Sequence, residues 1–147
     1  MMQVTEFRFA GDGDMSKITV LLKESKLPSR DIGLAGREFL VATEDGEIIG
    51  VVGLEAPGKQ GLLRSLAVEV SHRNKGLGRA LLGEMTTYAG QKGVEELYLL
   101  TTTADKFFSG HGFETIDRTT APAALQETLE FKSICPVSAI CMKKKLV

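Results

Sequence analysis

One stretch limits the folds open to this chain more than any other. Leu62-Leu63-Arg64-Ser65-Leu66-Ala67-Val68 is an apolar, strand-like run, and Arg73-Asn74-Lys75-Gly76-Leu77-Gly78-Arg79 follows as a glycine-bearing turn. Leu77, Leu81, Leu82, Met85 and Ala89 then recur on one helical face, and Leu97-Tyr98-Leu99-Leu100 is a second apolar run. Gly90 and Gly93 bracket the helix end. Such a strand–helix–strand unit predicts a right-handed parallel crossover. At the turn, two glycines let backbone N–H groups come close to a bulky anion. The helix N-terminus adds unpaired donors and a partial positive charge. The turn therefore reads as a phosphate or pyrophosphate site, or as a plain tight entry into a helix.

The flanking sequence supplies the rest of a sheet. Residues 3–9 alternate as a first strand, and residues 14–24 carry Ile18, Leu21 and Leu22 at helical spacing behind an Asp cap. Residues 27–36, broken by Pro28, Gly33 and Gly36, read as a loop or as a short helix between two breaks. Residues 38–43 and 48–54 are β-rich and joined through Asp45-Gly46, a strong hairpin signal. Residues 57–61 make the next turn, so three consecutive strands run antiparallel. After the crossover come a short helix (104–111), a strand (113–118), a helix opened by Pro122 (122–131) and a last strand (137–142). Lys143-Lys144-Lys145 reads as a solubilising end. The predicted class is α/β (α+β): one domain over residues 1–147, with a mixed, mostly antiparallel twisted sheet of about seven strands flanked by helices.

Composition narrows the partners. The 147 residues carry a net charge of −1, which gives no reason to expect nucleic acid. No apolar run approaches the roughly 20 residues of a membrane helix. Residues 1–6 lack the basic and apolar regions of a secretory signal, so the expectation is a cytoplasmic protein. Two cysteines, Cys135 and Cys141, suit a reduced compartment, and no Cys/His cluster has metal-ligand spacing.

Three phosphate-binding patterns compete at the turn. A nucleotide P-loop needs a Gly-Lys-Ser/Thr ending that is absent here. A dinucleotide fingerprint needs a third glycine where Leu81 stands. The third pattern fits: Arg73-x-x-Gly76-x-Gly78, preceded by Leu66-Ala67-Val68 and followed by Arg79-Ala80-Leu81-Leu82, resembles the acetyl-CoA motif of the GCN5-related N-acetyltransferases (GNAT). The resemblance runs closely over residues 62–113, and Gly110-His111-Gly112-Phe113 is similar to the helix-to-strand corner of that family. It implies acetyl-CoA as cofactor, with the pyrophosphate on the backbone amides of Asn74, Lys75, Gly76, Leu77, Gly78 and Arg79, beside Arg73. It also implies that Leu66, Ala67 and Val68 pair with the pantetheine arm as if it were an extra strand, one N–H polarising the thioester carbonyl. Thr101 and Thr102 would close the other side of the cleft.

Acetyl transfer needs a neutral amine and a protonated leaving thiolate. Many family members place a tyrosine acid where Phe108 stands, and phenylalanine cannot donate. Phe108 is then a cofactor-binding residue, and Tyr98, in an apolar strand, is either the acid or a core aromatic. Glu69, just past the strand end, is either the base or a solvated carboxylate. Glu38 and Glu55 read as exposed strand ends. Arg64 stands two and four residues before Leu66 and Val68, which puts the three on one strand face. It is a candidate clamp for a substrate carboxylate, or a surface-facing strand residue. By resemblance the loop 27–36, with Arg30 as a second substrate-binding candidate, is a lid; a merely structural connection is the other reading.

Residues 98–108, with Leu-Thr-Thr and two phenylalanines, resemble the acetyltransferase domain of N-acetylglutamate synthases. With residues 131–142 added, the chain resembles the small N-acetyltransferases associated with arsenic resistance. The implied substrate is a small amine, an amino acid or amino-acid-like compound, and a homodimer is a family-level expectation. Cys135 and Cys141 read as two reduced cysteines near the core rather than as a metalloid site. Two other functions share the same turn: a CoA-binding sensor without turnover, and a protein N-terminal acetyltransferase.

Overall fold

The computed structural model describes residues 4–147. Its strands are β1 (Thr5–Phe9), β2 (Arg37–Glu44), β3 (Glu47–Glu55), β4 (Gln60–Val68), β5 (Glu96–Thr101), β6 (Glu114–Ile116) and β7 (Ile140–Lys145). Its α-helices are α1 (Met15–Glu24), α2 (Leu77–Gln91), α3 (Asp105–Ser109) and α4 (Ala123–Gln126), with a π-helical turn at Glu130–Ile134. Gln3, where the sequence reading starts the first strand, lies outside the described residues. The strands form one sheet in the order β1-β2-β3-β4-β5-β7-β6, parallel between β4 and β5 and antiparallel elsewhere. The expected class, strand number and crossover are therefore present. The β2–β3 hairpin turns through Asp45 and Gly46, both left-handed (φ 52° and 79°), as a tight primed turn demands.

Side chains alternate across the sheet into two layers. Leu40, Val52, Leu54, Leu63, Leu97 and Leu99 meet Leu81, Leu82, Met85 and Ala89 of α2 on one face. On the other, Phe39, Val41 and Val51 pack against Ile18, Leu21 and Leu22 of α1, while Leu62, Tyr98 and Cys141 pack against Leu125 and Phe131. Each such buried aliphatic contributes about 2 kcal/mol relative to exposure.

β4 departs from regular alternation. Arg64 pairs with Gly53 and Ala67 with Val51, so Ser65 and Leu66 together oppose Val52. This β-bulge holds Ser65 at φ 59°. Leu63 lies on the α2 face and Ala67 on the α1 face, which four residues of unbroken strand would not allow. The expectation that Arg64 shares a face with Leu66 and Val68 is thereby corrected. Leu66 and Val68 pack toward α2, and Arg64 points to the opposite side.

Gly53 makes room for that arginine. A Cβ there would sit 2.7 Å from Phe39 Cε1 and 3.1 Å from Arg64 Cγ. Gly53→Val should cost about 1–3 kcal/mol by overpacking a rigid ring, read as a lower midpoint in urea unfolding.

Several expected boundaries shift. The last strand begins at Ile140, not 137, and runs through Lys143 to Lys145. The basic tail is thus an interior strand rather than a solubilising end: Lys143 pairs with Glu96 at 2.8 Å and Lys144 Nζ donates to the His111 carbonyl at 3.0 Å. The helix expected over 122–131 breaks after Gln126 and resumes as the π-helical turn. The strand expected over 113–118 shortens to Glu114–Ile116. Asp14 does not cap α1 through its side chain; its carboxylate takes Arg8 and the Gly11 N–H. Among the described residues no helix is long and apolar enough to cross a membrane.

Candidate active site

The β4–β5 pairing stops early. Gln60, Gly61 and Leu62 face Glu96, Leu97 and Tyr98, after which β4 stays with β3 and β5 stays with β7. The bulge at Ser65 bends β4 away, because a bulge increases local twist. The sheet opens there into a cleft of about 290 Å³. Leu66, Ala67 and Val68 form one wall; Thr101, Thr102, Phe107 and Phe108 form the other. The β5-facing backbone groups of β4 beyond Leu62 have no strand partner, so the wall is an open edge for an extended, amide-bearing chain. Thr101 Oγ1 accepts the Ala104 N–H at 3.0 Å, which fixes the far wall to the start of α3.

The glycine turn closes one end of this cleft. Asn74 (φ 63°) and Gly76 (φ 84°) are left-handed, and the first ladder bond of α2 runs from the Ala80 N–H to the Gly76 carbonyl. The N–H groups of Leu77, Gly78 and Arg79 precede that ladder and stay available to an anion. Arg73, Lys75 and Arg79 are exposed around them. Arg73 Nε donates to the Val68 carbonyl at 2.9 Å, tying the turn to the end of β4. Arg73 lines the main cleft, whereas Lys75, Gly76 and Leu77 line a separate cavity with Phe7, Glu44 and His72.

The other expected site residues are placed differently. Tyr98 is buried on the face opposite α2, against Leu62, Leu125 and Phe131, and does not line the cleft. Its place in an apolar strand made it a core aromatic, and a proton donor must reach the cleft. Glu69 also lies outside the lining: its carboxylate accepts the Ser71 hydroxyl at 2.8 Å and faces His72. Arg30 is exposed and is not a lining residue. Phe108 does line the cleft, and brings no donor to it.

Arg64 is neither a surface residue nor an open clamp. Its side chain is fully buried, and its fork closes on the Asp31 carboxylate, Nη1–Oδ2 and Nη2–Oδ1 both at 2.6 Å. Nη1 also donates to Glu55 Oε1 at 2.7 Å and Nε to Ser65 Oγ at 3.0 Å, with Glu130 Oε2 3.4 Å from Nε. Arg37 braces Asp31 at 3.2 Å and Glu55 at 3.8 Å. Glu55 is therefore buried in this cluster, not an exposed strand end, while Glu38 bonds Tyr88 and Lys92. Burial pushes the Asp31 carboxyl up, but hydrogen bonds and charge from Arg64 outweigh it and hold it below the ordinary carboxylate range.

Glu130 is the residue that sequence reasoning missed. Burial pushes its carboxyl up to about 7; Arg64 opposes the shift, while Asp31 and Glu55 reinforce it. It lines a second cavity of about 340 Å³ with Lys26, Ile134 and Cys135, and this cavity shares Leu27, Ser65, Leu100, Thr101 and Thr102 with the main cleft. The π-helical turn, closed by the Cys135 N–H on the Glu130 carbonyl at 3.1 Å, aims Glu130 inward. Regular helical spacing gives no hint of that turn; the one signal was a carboxylate between Leu129 and Phe131. Burial likewise pushes the Cys135 thiol up to about 12 and the Cys141 thiol to about 11. Among the described residues no group of His, Cys, Asp and Glu could hold a metal ion.

An open strand edge leading to a glycine-bearing helix entry with free N–H groups has the geometry to take an extended chain ending in phosphates. The pattern of the acetyltransferase (GNAT) domain family matches residues 35–115, and the chain belongs to that family. A curated relative, the N-acetyltransferase CT2212 of Chlorobaculum tepidum, is 32% identical over 106 residues, 71% of this chain and 66% of that one. N-acetylglutamate synthase from Neisseria gonorrhoeae, solved with coenzyme A and N-acetyl-glutamate, matches over 100% of this chain and 36% of its own, with a TM-score of 0.82 at 22% identity. Rv2747 of Mycobacterium tuberculosis, solved in complex with CoA, gives a TM-score of 0.80 at 22% identity over 97% of this chain and 99% of its own. The chain thus spans just under two thirds of the curated relative and about a third of the synthase.

Proposed function

We propose that this chain is an acetyl-CoA-dependent N-acetyltransferase acting on a small amine. One observation carries the reading: the unpaired β4 edge at 63–68 lines the cleft and is tied at its end, through Arg73, to the left-handed turn at 74–76. Pantetheine amides would pair with that edge, and pyrophosphate oxygens would take the N–H groups of Leu77, Gly78 and Arg79 with help from Arg73 and Lys75. A backbone N–H among Leu66, Ala67 and Val68 would face the thioester oxygen and stabilise the charge that develops on it. Apart from the arginines 64 and 73, no lining residue of the cleft is titratable. The departing thiolate would therefore take its proton from water or from the attacking amine.

The synthase solved with N-acetyl-glutamate supports an amino acid or amino-acid-like acceptor. With the Arg64 fork closed on Asp31, a substrate carboxylate would rely on Lys26, at the second cavity, or on Arg30 of the same loop. Leu27 belongs to both cavities, which supports a lid role for the 27–36 loop. A CoA sensor without turnover is the second reading, favoured by Phe108 at the position where a hydroxyl acid was expected.

Titration calorimetry with coenzyme A tests the donor site. Gly76→Val places a branched side chain at φ 84°, a strain of about 1–2 kcal/mol that the turn would relieve by moving its N–H groups. CoA affinity should fall about tenfold. Undiminished binding would remove the turn from the site. Thiol release from acetyl-CoA over amino acids and polyamines then separates the enzyme from the sensor, which would bind without turnover.

A further inference from the structure

We propose that Glu130 is the proton acceptor for the incoming amine, and that the cavity it lines receives the amine as an ammonium cation. The inference rests on the acetyltransferase reading above. The cavity adjoins the cleft through Ser65, Thr101 and Thr102, so an amine seated against Glu130 stands at the place where β4 and β5 part.

Charge counting around the carboxylate gives the sign of the ligand. Facing Glu130 are Arg64 from β4, Asp31 from the loop before β2, Glu55 from β3 and Cys135 beyond the π-helical turn. Arg37 pairs with Asp31 and Glu55 from behind. Arg118 approaches Cys135 from the other side, donating to the Phe131 and Pro136 carbonyls, and Lys26 stands at the cavity wall. Cys135 is a neutral thiol and Lys26 is exposed to solvent. The ion-paired cluster is therefore two arginines against three carboxylates, one negative charge in excess when Glu130 is ionised. Asp31 and Glu55 each accept hydrogen bonds from Arg64, whereas Glu130 meets the edge of that guanidinium at 3.4 Å and takes a hydrogen bond from the neutral Cys135 thiol. It is the least committed of the three, and it borders the cavity. A buried uncompensated charge is costly, so an ammonium group beside it is favoured.

The chemistry then balances. The ammonium gives one proton to the Glu130 carboxylate, which leaves both the amine and the cluster neutral. The amine nitrogen lone pair forms the C–N bond to the acetyl carbon, and the C–S bond breaks with its electron pair on sulfur. The second proton lost by nitrogen ends on that sulfur, and Glu130 releases its proton to water. The products are an amide, a free thiol and one proton.

Two measurements test this. First, kcat/KM for the best amine of the panel, with acetyl-CoA saturating, should rise tenfold per pH unit at low pH and level off near neutrality. Glu130→Gln should lower the plateau about 100-fold and abolish the limb, with Glu130→Asp intermediate and the CoA dissociation constant unchanged. Second, carboxyl-carbon NMR of the wild-type protein should show Glu130 titrating near neutral pH, and added putrescine should lower that midpoint by at least one unit. The second arm needs neither turnover nor a folded variant. An unmoved midpoint with putrescine, a midpoint below pH 5, or a glutamine variant within twofold of wild type at every pH overturns the proposal. Absence of CoA binding by the wild-type chain would instead defeat the donor-site reading.

Discussion

Replacing Arg64 with alanine is expected to cost about 3–5 kcal/mol of folding stability, a fall in Tm on the order of 10 °C. The truncation leaves Asp31, Glu55 and Glu130 facing one another in the interior with only Arg37 as counter-charge. Thermal and urea unfolding at pH 7 measure it. Adding Asp31→Asn and Glu55→Gln should return at least half of the loss, since it removes charge that the alanine had stranded. If Arg64→Ala unfolds within 1 kcal/mol of wild type, the cluster is not a structural unit. The pH sign follows from the depressed Asp31 carboxyl. Its contribution is fully present above 3.8 and disappears as pH falls through the lower folded value. Loss of turnover in Arg64→Ala reports a collapsed cluster before it reports a lost substrate contact.

Glu130→Gln should stabilise the protein at pH 8 several times more than at pH 5. The glutamate carboxyl moves from 4.5 to about 7 on folding, so the folded state holds an extra proton between those values and stability declines as pH rises through that window. The full loss above pH 7 is about 3 kcal/mol, worth roughly 6–12 °C in Tm. Glutamine copies the neutral form and escapes the loss. Below pH 4.5 the two side chains are equivalent in charge. Parallel melts of both proteins at pH 5 and pH 8 decide it. Equal differences at the two pH values would mean that Glu130 is not the group that titrates. A carboxylate that lowers stability at working pH is also what a functional site looks like: the interior would be quieter with an amide there.

Much of the scaffold was legible in the chain. Asp45-Gly46 specified the β2–β3 hairpin because both positions adopt left-handed backbone that few other pairs tolerate. Leu81, Leu82, Met85 and Ala89 specified the buried face of α2 by their spacing, and Leu97 and Leu99 marked β5 as covered on the α2 side. The turn at Arg73–Arg79 stood out as a candidate anion site because the features that suggest one are local: glycine geometry, a helix start and three basic side chains. The candidates Leu66, Ala67, Val68, Thr101, Thr102 and Phe108 all line one cleft, because they adjoin that turn along the strands of one crossover.

The acceptor side was not legible in the same way. Ser65 gives no local sign that β4 bulges, and the bulge alone turns Arg64 away from Leu66 and into the α1 side of the sheet. Asp31, Glu55, Arg64 and Glu130 come from four separate elements, and no spacing relates them. Arg64 was noticed as an anomaly within an apolar strand, but its partners could be found only where the chain folds back on itself. Tyr98, equally conspicuous, proved to be ordinary core. By itself the sequence determined most of the elements, the family and the glycine turn into α2, because backbone geometry and periodic burial are set by near neighbours. Tertiary structure alone decided which strand edge stays open and which carboxylate is held most loosely, because both depend on where distant segments run out of partners.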